Sequence, residues 1–255
     1  MRRFQVPPTK THAGLIALAL FAAVPAASAA TASSNPLGYT TIKCLWNSDT
    51  LCSPAGITEK PEFIGKVLSV AGDVVTLDAS PGWEDNIFAD THYARFTSGD
   101  KVGRYYTVTG NGDNTLTVDL AGDDISSVLP EDGIKLVKYW TLGTLFPPET
   151  QTTIVESPGQ SPLARRTIVL FPNLLSEGIN LAANRQYYLV SSGWLQIPSN
   201  EVADDTIVLP DQYFIVRHKL APAGNTDPGT EFVPMGHVEE SPTAIALSSS
   251  VDGQQ

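Results

Sequence analysis

From residue 38 onward the apolar side chains recur at alternate positions, and no stretch after residue 30 carries a convincing 3.6-residue stripe. Alternation places every second side chain on one face of an extended chain, the arrangement of a half-buried strand. The pattern is sharpest around Gly110-Asn111-Gly112-Asp113-Asn114. Tyr106 and Val108 precede that turn on one face, and Leu116, Val118 and Leu120 return on it. Thr115, Thr117 and Asp119 take the opposite face, as in an antiparallel sheet with one side on a core. The chain therefore reads as all-β: an antiparallel β-sandwich or open β-barrel, or two packed β subdomains.

Further strands follow the same logic. Residues 38–45 form a first strand, and 63–70 with 74–79 a hairpin turning at Ala71-Gly72-Asp73. Residues 134–140 form a strand that 141–146 continue until Pro147-Pro148 stops pairing. Residues 152–156 make a short strand and 167–171 another, while 174–183 read as a loop or one or two helical turns. Residues 186–191 and 194–197 form a third hairpin, 206–209 and 213–218 a fourth turning at Pro210-Asp211, and 232–238 the last strand. The Pro- and Gly-rich segment 157–162 sets a boundary between subdomains 31–156 and 157–240, followed by an irregular tail, 241–255. Val70-x-Gly72-Asp73 before Thr76-Leu77-Asp78 faintly echoes Val108-x-Gly110 before Thr115-Leu116, a hint of two related sheets.

The first thirty residues have a different grammar. Arg2, Arg3 and Lys10 precede an apolar run over 13–24, then Pro25 and Ala27-Ser28-Ala29. A basic start, a run too short to span a bilayer and an A-x-A site describe a secretory signal peptide over 1–30. The expectation is export to the periplasm or cell exterior, with no membrane span after cleavage. The leader holds three of the sixteen basic residues and none of the twenty-seven acids, leaving thirteen positive against twenty-seven negative charges, a net −14. Such a surface repels phosphate backbones, so nucleic acid is excluded as a partner class.

Cys44 and Cys52 stand eight positions apart in the part expected to be exported. In an oxidising compartment a local disulfide is the natural outcome, closing a loop whose polar centre reads as a turn between short strands. The rival readings fare worse: no histidine lies nearby to complete a metal set, and the spacing is not C-x-x-C.

The search for catalytic chemistry returns little. Gly159-Gln160-Ser161-Pro162 lacks the closing glycine of a nucleophile elbow, and His92, His218 and His237 form no zinc signature. His218, at a strand end, reads as a satisfied surface histidine. The adjacent acids Glu84-Asp85, Asp123-Asp124, Glu131-Asp132 and Asp204-Asp205 fall in loops, where they solvate turns or supply oxygen ligands to calcium. No D-x-D-x-D-G loop is present, so no cofactor is assigned. Among the aromatics, Trp83 after Pro81-Gly82 is the most loop-like tryptophan. With Tyr105 and Tyr187 it makes the candidate ligand-stacking set. Tyr105-Tyr106 and Tyr187-Tyr188 are consecutive, so one of each pair faces the core.

Several segments together resemble a family of signal-peptide-bearing proteins found largely in verrucomicrobial bacteria. They are Asn35-Pro36-Leu37-Gly38-Tyr39, Ser48-Asp49-Thr50, Pro81-Gly82-Trp83, Gly103-Arg104-Tyr105-Tyr106, Asn114-Thr115-Leu116-Thr117-Val118, Tyr213-Phe214-Ile215-Val216-Arg217 and Gly236-His237-Val238. The most specific is Trp140-Thr141-Leu142-Gly143-Thr144-Leu145-Phe146-Pro147. The resemblance implies export and many β-strands, and brings no activity or catalytic residues. Members of such a family often run past the point where this chain stops, which with the unpatterned end at Gln255 points to a shortened reading frame.

These readings favour an exported, non-catalytic β protein with a structural or surface-interaction role, its partner an envelope protein or polysaccharide. A saccharide-binding or adhesin-type module is the alternative, and an extracellular hydrolase a distant third.

Overall fold

A computed structural model describes residues 36–173, 182–219, 221–240 and 242, all within one compact unit that begins at Asn35. The expected signal peptide lies outside the described residues, as do nearly all of the expected tail and most of 174–183.

The described chain is almost entirely β. Four short strands come first: β1 (Leu37–Tyr39), β2 (Ile42–Leu45), β3 (Ser48–Cys52) and β4 (Ile57–Thr58). Six more follow: β5 (Pro61–Ala71), β6 (Val74–Leu77), β7 (His92–Phe96), β8 (Tyr105–Asn111), β9 (Thr115–Asp119) and β10 (Gly133–Lys138). These six close into an antiparallel barrel in the order β10-β5-β6-β9-β8-β7. The barrel is closed rather than open because β10 pairs with both β5 and β7. Alternation fills its interior: Val75, Phe96, Val108, Leu116, Val118 and Leu136 are fully or nearly fully buried. The two hairpins with echoing sequences, β5–β6 and β8–β9, lie side by side in this one barrel, joined by pairing of β6 with β9.

The remaining elements are β11 (Trp140–Thr141), the single helical turn α1 (Leu142–Leu145), β12 (Thr167–Pro172), β13 (Ala183–Val190), β14 (Gly193–Ile197), β15 (Ile207–Val208), β16 (Phe214–His218), β17 (Gly229–Phe232) and β18 (Met235–Val238). A five-stranded sheet runs β14-β13-β12-β16-β3, and smaller sheets pair β17 with β2, β11 with β15, and β18 with both β1 and β4. Strands from before residue 60 thus complete sheets whose other members lie beyond residue 166. The sheets run across the expected 156/157 boundary, and the 61–138 barrel is the piece that is continuous in sequence. A second core, centred on Phe146, Phe171, Trp194, Phe214 and Phe232, lies under the five-stranded sheet.

Four of the expected elements are corrected. Residues 142–145 turn helically because Thr141 and Thr144 cap one another: the Thr144 N–H donates to Thr141 Oγ1 at 3.2 Å and the Thr141 N–H to Thr144 Oγ1 at 2.9 Å. Residues 152–156 pair with no strand, because the Gln151 side chain takes the strand's place, accepting from the Ile154 N–H at 2.7 Å and donating to its carbonyl at 3.0 Å. The 206–209 and 213–218 segments are not a hairpin: β15 pairs with β11, and β16 is inserted between β12 and β3. The expected last strand divides into β17 and β18 around Pro234.

His218 is not the surface histidine expected but a buried one. Its Nδ1 lies 2.8 Å from Thr167 Oγ1 and its Nε2 2.7 Å from Thr230 Oγ1. Thr230 gives its own hydrogen to the Thr153 carbonyl, so it accepts from Nε2–H, and Thr167 donates to Nδ1. The neutral imidazole is therefore fully bonded, and burial lowers its pKa to about 4. The unfolded chain binds this proton below about pH 6.5, whereas the folded chain resists it until about pH 4. Stability supplied by His218 accordingly falls with pH across that window, by about 1.4 kcal/mol per unit. Urea unfolding of the wild type and of His218→Gln at intervals from pH 7 to pH 4 should show their stability difference shrinking along that slope. A constant difference would mean that the imidazole is not held neutral.

Candidate functional site

A cleft of about 540 Å³ lies where the barrel wall meets the loop after β15. Cross-strand pairing determines what its wall presents. Arg95 stands opposite both Lys135 and Tyr105, and Tyr93 opposite both Val137 and Thr107. Directly paired residues share a face, so these side chains form the outside of the barrel, while Ala94, Phe96 and Tyr106 turn inward. The consecutive tyrosines thus divide as alternation requires, Tyr106 to the core and Tyr105 to the outer wall.

Tyr93, Val137 and Tyr139 of that outer wall are buried against Tyr105, Ile207 and Leu209. The cleft opens beside this contact, lined by Arg104 to Thr107, Asp119 to Asp123, Leu209 and Asp211. The Tyr105 hydroxyl donates to Asp211 Oδ1 at 2.6 Å, tying barrel to loop. The Tyr106 hydroxyl reaches Asp123 Oδ2 at 2.7 Å, and Lys101 Nζ pairs with Asp123 Oδ1 at 2.9 Å. Asp119 is held by the Ala121 N–H at 2.9 Å. Lys101 and then Tyr106 hold the Asp123 carboxyl well below the usual range. Burial first, then the adjoining carboxylates, push the Tyr105 and Tyr106 phenols far above theirs.

The other candidates are placed differently. Trp83 is not a free loop side chain: its ring is packed edge-on between Phe63 and Phe88, at 5.5 and 4.9 Å, against the barrel core. Asn111 draws that loop inward, accepting from the Phe88 N–H at 3.0 Å and donating to the Glu84 carbonyl at 2.9 Å. Tyr187 is buried against Phe171 and offers no stacking surface, and Tyr188 is buried with its hydroxyl on Asn200. Of the three aromatic candidates only Tyr105 lines the cleft. Asp119 and Asp211 carry no motif; the pairing of β8 with β9 brings Asp119 to the cleft, and the loop after β15 brings Asp211.

None of His92, His218 and His237 lines the cleft. His92 bonds to Thr91 at 2.8 Å, and His218 is committed to the threonine relay. Cys44 and Cys52 are neighbours, both buried as thiols with their sulfurs 3.7 Å apart. The contact makes Cys44 the more acidic thiol and raises Cys52. Among the described residues no group of three or more His, Cys, Asp or Glu side chains is placed to hold a metal ion, and no helix is long and apolar enough to cross a membrane.

Comparisons with protein-family models, with curated proteins and with solved structures found no match to this chain.

The wall makes an alkaline prediction. Burial pushes Tyr139 up to about 12, and Tyr93, Tyr105 and Tyr106 higher still. Each phenol ionises near pH 10 once unfolded, so the folded state loses stability as pH rises past 10. Ultraviolet titration to pH 11 should leave these four of the eight tyrosines protonated while the fold persists, and unfolding should release all four. Ionisation of all eight with ordinary behaviour would show the wall to be open to water.

Proposed function

We propose that the chain is an exported, non-catalytic β protein that acts by surface contact, with the junction cleft as its contact site and an envelope protein or polysaccharide as its partner. The observation that carries this reading is the cleft's set of pre-fixed polar groups. Asp123, Tyr105 and Tyr106 all titrate far from neutrality, and none is poised to pass a proton at pH 7. Groups held in this way suit recognition, since their geometry is set before a partner arrives. A second surface adds to it: Leu37, Tyr39 and Met235 are exposed on one face of the β1–β18 pair. The leader-like residues 1–30 and the acidic surface support export and a partner other than nucleic acid.

Labelled, processed protein should co-sediment with an isolated cell-envelope fraction, and Tyr105→Ala should reduce that binding. Full-length protein recovered unprocessed from the cytosol, or no sedimentation above that of a control protein of equal charge, would overturn the reading.

Export carries its own chemical consequence. Given a small-molecule disulfide as oxidant, Cys44 and Cys52 lose two protons and two electrons and join, their sulfurs closing from 3.7 Å to bonding distance. The nine-residue ring lends roughly 2.5 kcal/mol through chain entropy. Non-reducing mass spectrometry of exported protein should find the linked 44–52 peptide; free thiols there would refute the bond.

A further inference from the structure

We infer that the junction cleft is a subsite for a neutral saccharide, a deepening that rests on the surface-contact reading. Its volume of about 540 Å³ falls within the roughly 300–1,000 Å³ of small-ligand sites. Its walls divide into two kinds. The Tyr105 ring, Leu120 and Leu209 are apolar, whereas Asp119 and Asp211 are acceptors standing beside them. A pyranose ring has the same division, with C–H faces to lay on apolar surface and hydroxyls around its edge.

The hydrogen-bond inventory fits donors from the ligand. One oxygen of Asp211 accepts from Tyr105, and one oxygen of Asp119 accepts from a backbone N–H. An ionised carboxylate offers about four acceptor positions, so both retain capacity for sugar hydroxyls. The Arg104 guanidinium makes no hydrogen bond among the described residues and can donate to a ring or hydroxyl oxygen. The phenol of Tyr105 is pinned at 2.6 Å, which fixes its ring before a ligand enters.

Competing ligand classes fit poorly. An anionic ligand would meet Asp119, Asp123 and Asp211 against the single unpaired cation Arg104, and be repelled. A peptide cannot add as a strand here, because β8 and β9 are each paired on both sides within the closed barrel.

Isothermal titration of the processed protein tests this with short neutral oligosaccharides of glucose, galactose, mannose and N-acetylglucosamine as probes, set beside sulfated and uronic-acid oligosaccharides and a polyamine. At least one neutral probe should bind. Asp211→Asn, which keeps the shape of the side chain, and Tyr105→Ala should each weaken it about tenfold or more, while Thr109→Ala on the exposed part of β8 leaves it unchanged. Thermal unfolding of each variant identifies any that fails to fold, and Asp211→Asn keeps the test open if Tyr105→Ala does. Binding confined to the acidic probes or to the polyamine would overturn the assignment, as would neutral binding that Asp211→Asn and Tyr105→Ala leave intact. If no neutral probe binds but envelope sedimentation persists, the saccharide assignment falls and surface contact stands; loss of both removes both.

Discussion

Two cations on the outside of a barrel wall oblige that wall to be covered. Arg95 and Lys135 face each other across β7 and β10, and their side chains are almost wholly removed from water. Buried charge of that kind is tolerable only when it is paired. Glu239, just after β18, supplies the pairing: one of its oxygens lies 3.1 Å from Arg95 Nη1 and 2.5 Å from Lys135 Nζ. Its own backbone N–H is bonded to the Gly56 carbonyl. One carboxylate from the far end of the described chain thus fastens β18, and the small sheet it belongs to, onto the barrel.

The cleft lies on the same outer face of the barrel, where the loop after β15 meets the wall. There Ile207 and Leu209 pack against Tyr93, Tyr105 and Tyr139, and Asp211 lies within reach of Tyr105. A site at the junction of two modules needs both held in fixed register, because a small slip would part the phenol from the carboxylate. The charge clasp and the aromatic contact together supply that rigidity, although Arg95 Nε remains without a hydrogen-bond partner among the described residues.

Local hairpins were legible in the sequence because turn residues and alternation both act over a few positions. The β5–β6, β8–β9 and β13–β14 pairs all stand where the alternation and the turn residues place them. What alternation cannot convey is which distant strand becomes a neighbour. Nothing in Ile207 or Val208 announces β11 as their partner, and nothing in Ser48–Cys52 announces the edge of a sheet formed mostly beyond residue 166. The same limit applies to the site. Tyr105 could be picked out as the outward member of a tyrosine pair, but its partner Asp211 is 106 positions away. Tyr187 could not be separated from it by pattern alone, because both faces of β13 are covered at that point. His218 departs from its expected surface position for a related reason: a strand end looks exposed until Thr230 of β17 bonds its Nε2 and the Trp46 ring lies against it at 4.7 Å.

The clasp is the claim on which the docking of the β18 sheet onto the barrel rests. Urea unfolding of Glu239→Gln against the wild type at pH 7 tests it most directly, since the amide keeps the shape and removes the charge that two buried cations require. The account predicts a loss of about 3 kcal/mol or more. A loss within about 0.5 kcal/mol, the ordinary scale of a surface substitution, would contradict it.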